Sequence, residues 1–343
     1  MFVWLLLAPL LIGCRLVKND KEIFGIDTTK SLKGLFACFV LLHHMFPFYT
    51  HMFPSLETYK HLGFIAVSGF FMISGYGLAY GVMHRDGYLH GFIIKRMLPI
   101  VLSYYLSALM YLFVFRYMHM LTAERIYDIL TAKEYWFVYA ILIFYLGFYI
   151  SFKIFPPKAA MPVSFIFVAG YIAYMSFRIF SSSDYNGFWL INSSLAFPLG
   201  IVFSMYKDKL VKFIKKRYII KLILCIAIFA ASLTGELLIT ETRSPYILTC
   251  EFIASMSLCA LIAVLSVKFK LKSYVLDWFG GISFELYLVF AGFVSFLFNE
   301  FDDFGRSAAK VAIILGSSII SAWLVHLVQS VIMCIVKKIF RIK

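Results

Sequence analysis

The stretch Leu62-Gly-Phe-Ile-Ala-Val-Ser-Gly69-Phe-Phe-Met-Ile-Ser74-Gly75-Tyr76-Gly77-Leu-Ala-Tyr80-Gly81 carries no formal charge. About 20 such residues make a helix long enough to cross the hydrocarbon core of a bilayer. Continuous apolarity over that length argues for helix, because barrel strands alternate in runs of about 10 residues. The rest of the chain repeats the pattern. Of its 343 residues 62% are hydrophobic and 15% charged, with a mean hydropathy of +0.87. Soluble domains have about 45–50% apolar and about 25% charged residues. So few charges cannot cover a water-exposed surface, and the sequence reads as an integral membrane protein.

Eleven apolar runs are candidate spans: 1–17, 34–50, 62–81, 97–115, 135–152, 161–180, 187–206, 222–240, 246–267, 274–298 and 311–336. The expected fold is therefore an all-α, polytopic helical bundle. Between the runs, the basic residues fall into two alternating sets. One set, from Arg15 to Lys33, Arg85 to Arg96, Lys153 to Lys158, Lys207 to Lys221, Lys268 to Lys272 and after Val336, holds most of the 32 Lys and Arg. The positive-inside rule then places the N-terminus outside and the C-terminus in the cytoplasm of a multi-pass cell-membrane protein. The first run carries Leu11-Ile12-Gly13-Cys14, which looks like a lipoprotein cleavage box. Its cations follow the apolar stretch rather than precede it, so it is expected to stay as an uncleaved helix. A surface helix is expected after Thr122 in the exterior loop 116–134.

The net charge of +14 sits between apolar runs rather than in a basic domain, which argues against a nucleic-acid partner and for contacts with membrane lipids. The six cysteines form no Cys-x-x-Cys pair, so neither a disulfide framework nor a metal site is expected. No soluble catalytic domain is expected beside the apolar runs. Any chemistry must be done within the bundle.

Ionisable groups at membrane depth mark functional candidates. Lys33 and His44 are eleven residues apart, close to three helical turns, so both project from one face with a rise of about 16 Å. His43 points about 100° away from His44. Both histidines could also be ordinary interhelical hydrogen-bonding groups. Lys95 and Arg96 stand just before Pro99 at the start of a run, where cations mark topology or hold an anionic, phosphate-bearing ligand. Glu251 and Glu285 are carboxylates inside apolar runs.

Four elements occur in order: Lys33-Gly-Leu-x-Ala with His44, Gly-Phe-Phe-Met-Ile-Ser-Gly-Tyr at 69–76, Arg96-x-x-Pro99, and Gly281-Ile-Ser-Phe-Glu-Leu-Tyr-Leu288. Together with Trp136-Phe137, this series resembles acyltransferase family 3, the membrane O-acyltransferases that include polysaccharide and O-antigen acetylases. The resemblance covers roughly residues 27–336. It implies a ten-helix acyltransferase domain, expected over 27–343; the extra N-terminal helix and cytoplasmic linker expected at 1–26 depart from that pattern. It also implies a CoA thioester, usually acetyl-CoA, as donor substrate, with no bound cofactor.

The family pairs an arginine and a histidine eleven apart on its first core helix; here Lys33 holds the arginine position and His44 the histidine. In many members the last motif continues to a histidine, where this chain has Phe290. The expected assignments follow from residues and resemblance together. His44 is the general base, with His43 a weaker candidate; Lys33, Lys95, Arg96, Ser74 and Tyr76 hold the donor; Trp136, Glu285 and Tyr287 support, Glu285 by orienting His43 or His44. The expected acceptor is a hydroxyl of a cell-surface glycan or of its lipid-linked precursor. Two other classes compete: a transporter or flippase for a glycan intermediate, and a membrane scaffold or sensor without chemistry. Transporter folds commonly show internal repeats and paired broken helices, and neither is visible in the sequence.

Overall fold

A computed structural model describes residues 14–18, 23–49, 62–117, 121–131, 135–181, 187–239, 244–300 and 308–342. Apart from a two-stranded ribbon, the described elements are helical. Seven stretches are long and apolar enough to cross a membrane, by length and composition: Leu62–His84, Ile93–Phe113, Trp136–Ile154, Pro157–Ser181, Tyr218–Leu238, Pro245–Lys268 and Ala312–Ile339. The expected count of eleven is not reached among the described residues. Helix α1 (Ile26–Tyr49) and the helix Ser283–Glu300 coincide with two more of the expected spans.

Three expectations are corrected. The helix proposed over 1–17 lies outside the described residues up to 13, and Arg15–Lys18 is a strand, β1. It pairs antiparallel with β2 (Phe269–Lys272), Arg15 opposite Lys272. The run 187–206 is broken. Phe188–Leu190 is a single 3-10 turn and helix resumes only at Ala196–Met205. Pro198, which has no N–H to give, therefore sits in the first turn, where none is needed. Between the two pieces Asn192, Ser193 and Ser194 are buried, and Ser193 Oγ donates to the Phe64 carbonyl at 3.0 Å. Irregular backbone at membrane depth is tolerated where protein surrounds it. The run 274–298 is likewise split at Ile282, into Tyr274–Gly281 and Ser283–Glu300. The expected surface helix is present at Ala123–Leu130, with the Thr122 hydroxyl accepting from Arg125 N at 3.2 Å.

We number the helices in chain order: α1, then α2 (Leu62–His84), α3 (Leu98–Tyr117), α4 (Ala123–Leu130), α5 (Trp136–Ile154) and α6 (Pro157–Ser181). They continue with α7 (Ala196–Met205), α8 (Lys207–Lys215), α9 (Tyr218–Leu238) and α10 (Pro245–Lys268). Last come α11 (Tyr274–Gly281), α12 (Ser283–Glu300) and α13 (Ala308–Ile339).

Two glycine crossings set the helices around the site. Gly75 and Gly200 each lie against backbone of the other's helix, Gly75 on the Phe197 carbonyl and Gly200 on that of Met72. Gly34 and Gly280 do the same for α1 and α11, on the carbonyls of Leu276 and Lys30. A Cβ at any of the four would collide with main chain, so these backbones approach as only small residues allow. Helices α1 and α2 run antiparallel: the His43 ring packs on Gly63 and the Phe36 ring on Gly69. That pairing brings the Lys33 level of α1 opposite the middle of α2, near Ile73.

The basic segments gather at one end of the bundle. β1 pairs with β2, and Ile23 accepts from Tyr76 Oη at 3.0 Å. Phe92 stacks on Tyr149, one turn before Lys153, with centroids 5.2 Å apart. Ile342 packs on Gly91. Lys207 lies over the Tyr80 ring at 5.4 Å and Lys268 over Tyr218 at 4.0 Å. Segments grouped by charge counting are thus neighbours in space.

Candidate active site

At the basic end, α1, α2, α5 and the single π-helical turn Ile93–Met97 come together, and their meeting point is called the mouth. That turn carries Lys95, half-buried, and Arg96, exposed. The Arg96 guanidinium lies close enough to Lys33 for the two charges to repel, and it also acts on the Tyr88 and Tyr145 hydroxyls. Arg96 stands over the Tyr88 ring at 5.3 Å from its centroid. Burial pushes the Tyr88 hydroxyl above its ordinary range, and the Arg96 charge draws it partly back. Ser74, on the same face of α2, approaches the Tyr145 side chain.

His44 is half-buried on the Lys33 side of α1, about 16 Å deeper by helical rise. Its ring meets that of His43 edge to face at 5.2 Å. His43 is turned toward α2 and lies on Gly63, so the two neighbours face different surroundings.

Tyr76 does not join the mouth. Its hydroxyl donates to the Ile23 carbonyl, and its ring packs edge to face on Phe24 at 5.2 Å. Trp136 packs on Trp189 at 5.8 Å, and Tyr287 lies 5.5 Å from Phe137. These two residues form an aromatic patch where α5 begins, away from the cations.

Glu285 is corrected more sharply. It sits in the first turn of α12, where a carboxylate faces unpaired N–H groups and the positive end of the helix dipole. Its carboxylate meets Ser103 and His326 rather than His43 or His44. Ser103 of α3 donates to Oε1 at 3.0 Å, and His326 Nδ1 of α13 lies 3.2 Å from the same oxygen. Both Ser103 and Glu285 are buried. Sequence reasoning passes over His326, although the rule that singles out Glu285 applies to it equally: it is an ionisable group at the middle of an apolar helix. Nothing in the order of residues links positions 41 apart. Glu251, half-buried on α10, neighbours Glu236 and Asn192. Among the described residues no group of three or more His, Cys, Asp or Glu could hold a metal ion.

Comparison with curated proteins and with solved structures returns no match. A family model described as an acyltransferase domain matches residues 26–327, which takes in His44, Lys33, Lys95, Arg96, the 69–76 run and Glu285 with His326. The chain belongs to acyltransferase family 3.

Proposed function

We propose that the protein transfers an acyl group, acetyl in the first instance, from a CoA thioester to a hydroxyl of a cell-surface glycan or of its lipid-linked precursor. The observation that carries this reading is the alignment on α1. A half-buried histidine lies on the helical side of a lysine that another helix's arginine approaches at the basic end. The donor's phosphates would lie at Arg96, Lys33 and Lys95, with the basic end cytoplasmic, and the phosphopantetheine arm would run down α1 toward His44.

His44 takes the proton of the acceptor hydroxyl as its oxygen attacks the thioester carbonyl. The tetrahedral intermediate collapses, the C–S bond breaks, and the CoA thiolate leaves. The proton held by His44 passes to that thiolate, so the histidine returns neutral. A positioned general base contributes about 10²–10⁴-fold.

The breaks near Asn192 and at Ile282 also suit a conduit for a glycan. Transfer decides between the two readings. Purified protein incubated with acetyl-CoA and a hydroxyl-rich glycan should release free thiol in step with glycan acetylation. Glycans from cells with and without the gene should differ by an acyl mass. Thiol release absent with every acceptor, in protein that is folded, would overturn the acyltransfer reading.

A further inference from the structure

Helix α10 ends at Lys268 and the chain passes directly into β2 at Phe269. The β1–β2 ribbon is therefore held by covalent continuity at the end of a helix long enough to cross a membrane. Its register gives it two unlike faces. Directly opposed residues of an antiparallel pair share a face, as do residues two apart on one strand. Arg15, Lys270 and Lys272 thus lie on one face. Leu16, Leu271 and Phe269 lie on the other, with Lys18 opposite Phe269 at its end. Neither strand contains an acidic residue. The apolar face is open: Leu16 is 74% exposed and Phe269 42%. Helix α11 follows after Ser273 and is two-sided in the same way. Leu276 and Phe279 are buried, whereas Tyr274, Val275 and Trp278 are exposed on one arc about 100° wide. Its carboxylate, Asp277, is taken by the Ser31 hydroxyl.

We propose that the ribbon is a docking platform for anionic phospholipid, seated flat in the surface of the leaflet. Amphipathic elements at this level bury their apolar face about 5–10 Å into the boundary between headgroups and acyl chains. Leu16, Leu271 and Phe269 enter that boundary. The opposite face then stands at the height of the lipid phosphates, where Arg15, Lys270 and Lys272 meet them. Tyr274 and Trp278 continue the contact, since Tyr and Trp favour the interface with a polar tip in water and a ring in the acyl region. A lone two-stranded ribbon is marginal in water, so the leaflet also stabilises the pairing. Each cation near an anionic surface favours it about fivefold, and three together about 10²-fold over a neutral one. The proposal is independent of the acyl-transfer reading.

The test uses the full chain in nanodiscs of phosphatidylcholine with and without phosphatidylglycerol, and follows amide hydrogen exchange at 15–18 and 269–272. Both leaflets of a nanodisc are alike, so orientation does not enter. The anionic lipid should slow exchange in both strands by about fivefold or more. Added salt should reverse the slowing in the parent protein, because it screens exposed charges. Arg15→Gln/Lys270→Gln/Lys272→Gln should show no slowing. Lys209→Gln/Lys212→Gln/Lys215→Gln, which removes as many exposed cations from α8 at the same end, should keep it. Leu16→Asn leaves every cation in place and should lose most of the slowing, since the apolar face can no longer seat. Equal exchange in the two lipids overturns the proposal and leaves the face to a second copy or a partner protein. Slowing that survives salt, or an equal loss in the α8 variant, overturns it too. Full slowing in Leu16→Asn overturns the seated geometry.

Discussion

His326 Nδ1 lies 3.2 Å from Glu285 Oε1, and that oxygen also accepts from Ser103, so one carboxylate ties α3, α12 and α13 together inside the apolar bundle. Removing one partner of a hydrogen-bonded pair inside the bundle is costly because the other is left unsatisfied, whereas replacing both with apolar groups is often nearly neutral. His326→Leu should therefore lower the melting temperature in detergent. The double variant Glu285→Leu/His326→Leu should recover much of the loss. A double variant less stable than either single one would show that the two do not act as a pair.

The two adjacent histidines should separate cleanly. His44→Gln keeps a polar amide but cannot accept a proton at neutral pH, so acyl transfer should fall by about 10²–10⁴-fold. His43→Gln should retain a measurable fraction, since His43 faces Gly63 rather than the Lys33 side. Transfer rates are compared at matched membrane abundance. Near-normal transfer by His44→Gln would remove it as the base.

Arg96→Ala should raise the apparent KM for acetyl-CoA with little change in melting temperature, because Arg96 is exposed at the mouth. A donor truncated to acetyl-pantetheine, which has no phosphates, should be affected far less. Equal losses with both donors would make Arg96 a structural residue.

Glycines in helices should divide by what surrounds them. Gly200→Ala and Gly280→Ala put a methyl against backbone carbonyls, and overpacking of this kind costs about 1–3 kcal/mol. Gly170→Ala and Gly316→Ala meet open space and should be neutral or stabilising by up to about 1 kcal/mol through helix propensity. Thermal unfolding of the four variants checks the division.

Topology reporters fused after Lys153 and after Lys221 should both read as cytoplasmic, and one near Asp302 as external. A cytoplasmic reading at Asp302 would break the alternation on which the orientation rests.

Apolar run lengths and the placement of cations were enough, without coordinates, to establish a helical membrane protein and to group the loops that share one end. The Lys33–His44 alignment was legible too, because it depends only on helical periodicity within one segment. The ordered motifs identified the family. Contacts between segments were decided by the tertiary structure alone. The sequence contains a Glu285 and a His326, but only the packing of α12 on α13 brings them within hydrogen-bonding distance. Tyr76 and Ser74 look equivalent in their motif, yet opposite faces of one helix send Tyr76 to Ile23 and Ser74 toward Tyr145. The breaks near Asn192 and at Ile282 were hidden because hydropathy records burial, not backbone geometry. A broken segment inside protein is as apolar on average as a straight span, and its freed polar groups are satisfied by neighbours that only the fold supplies.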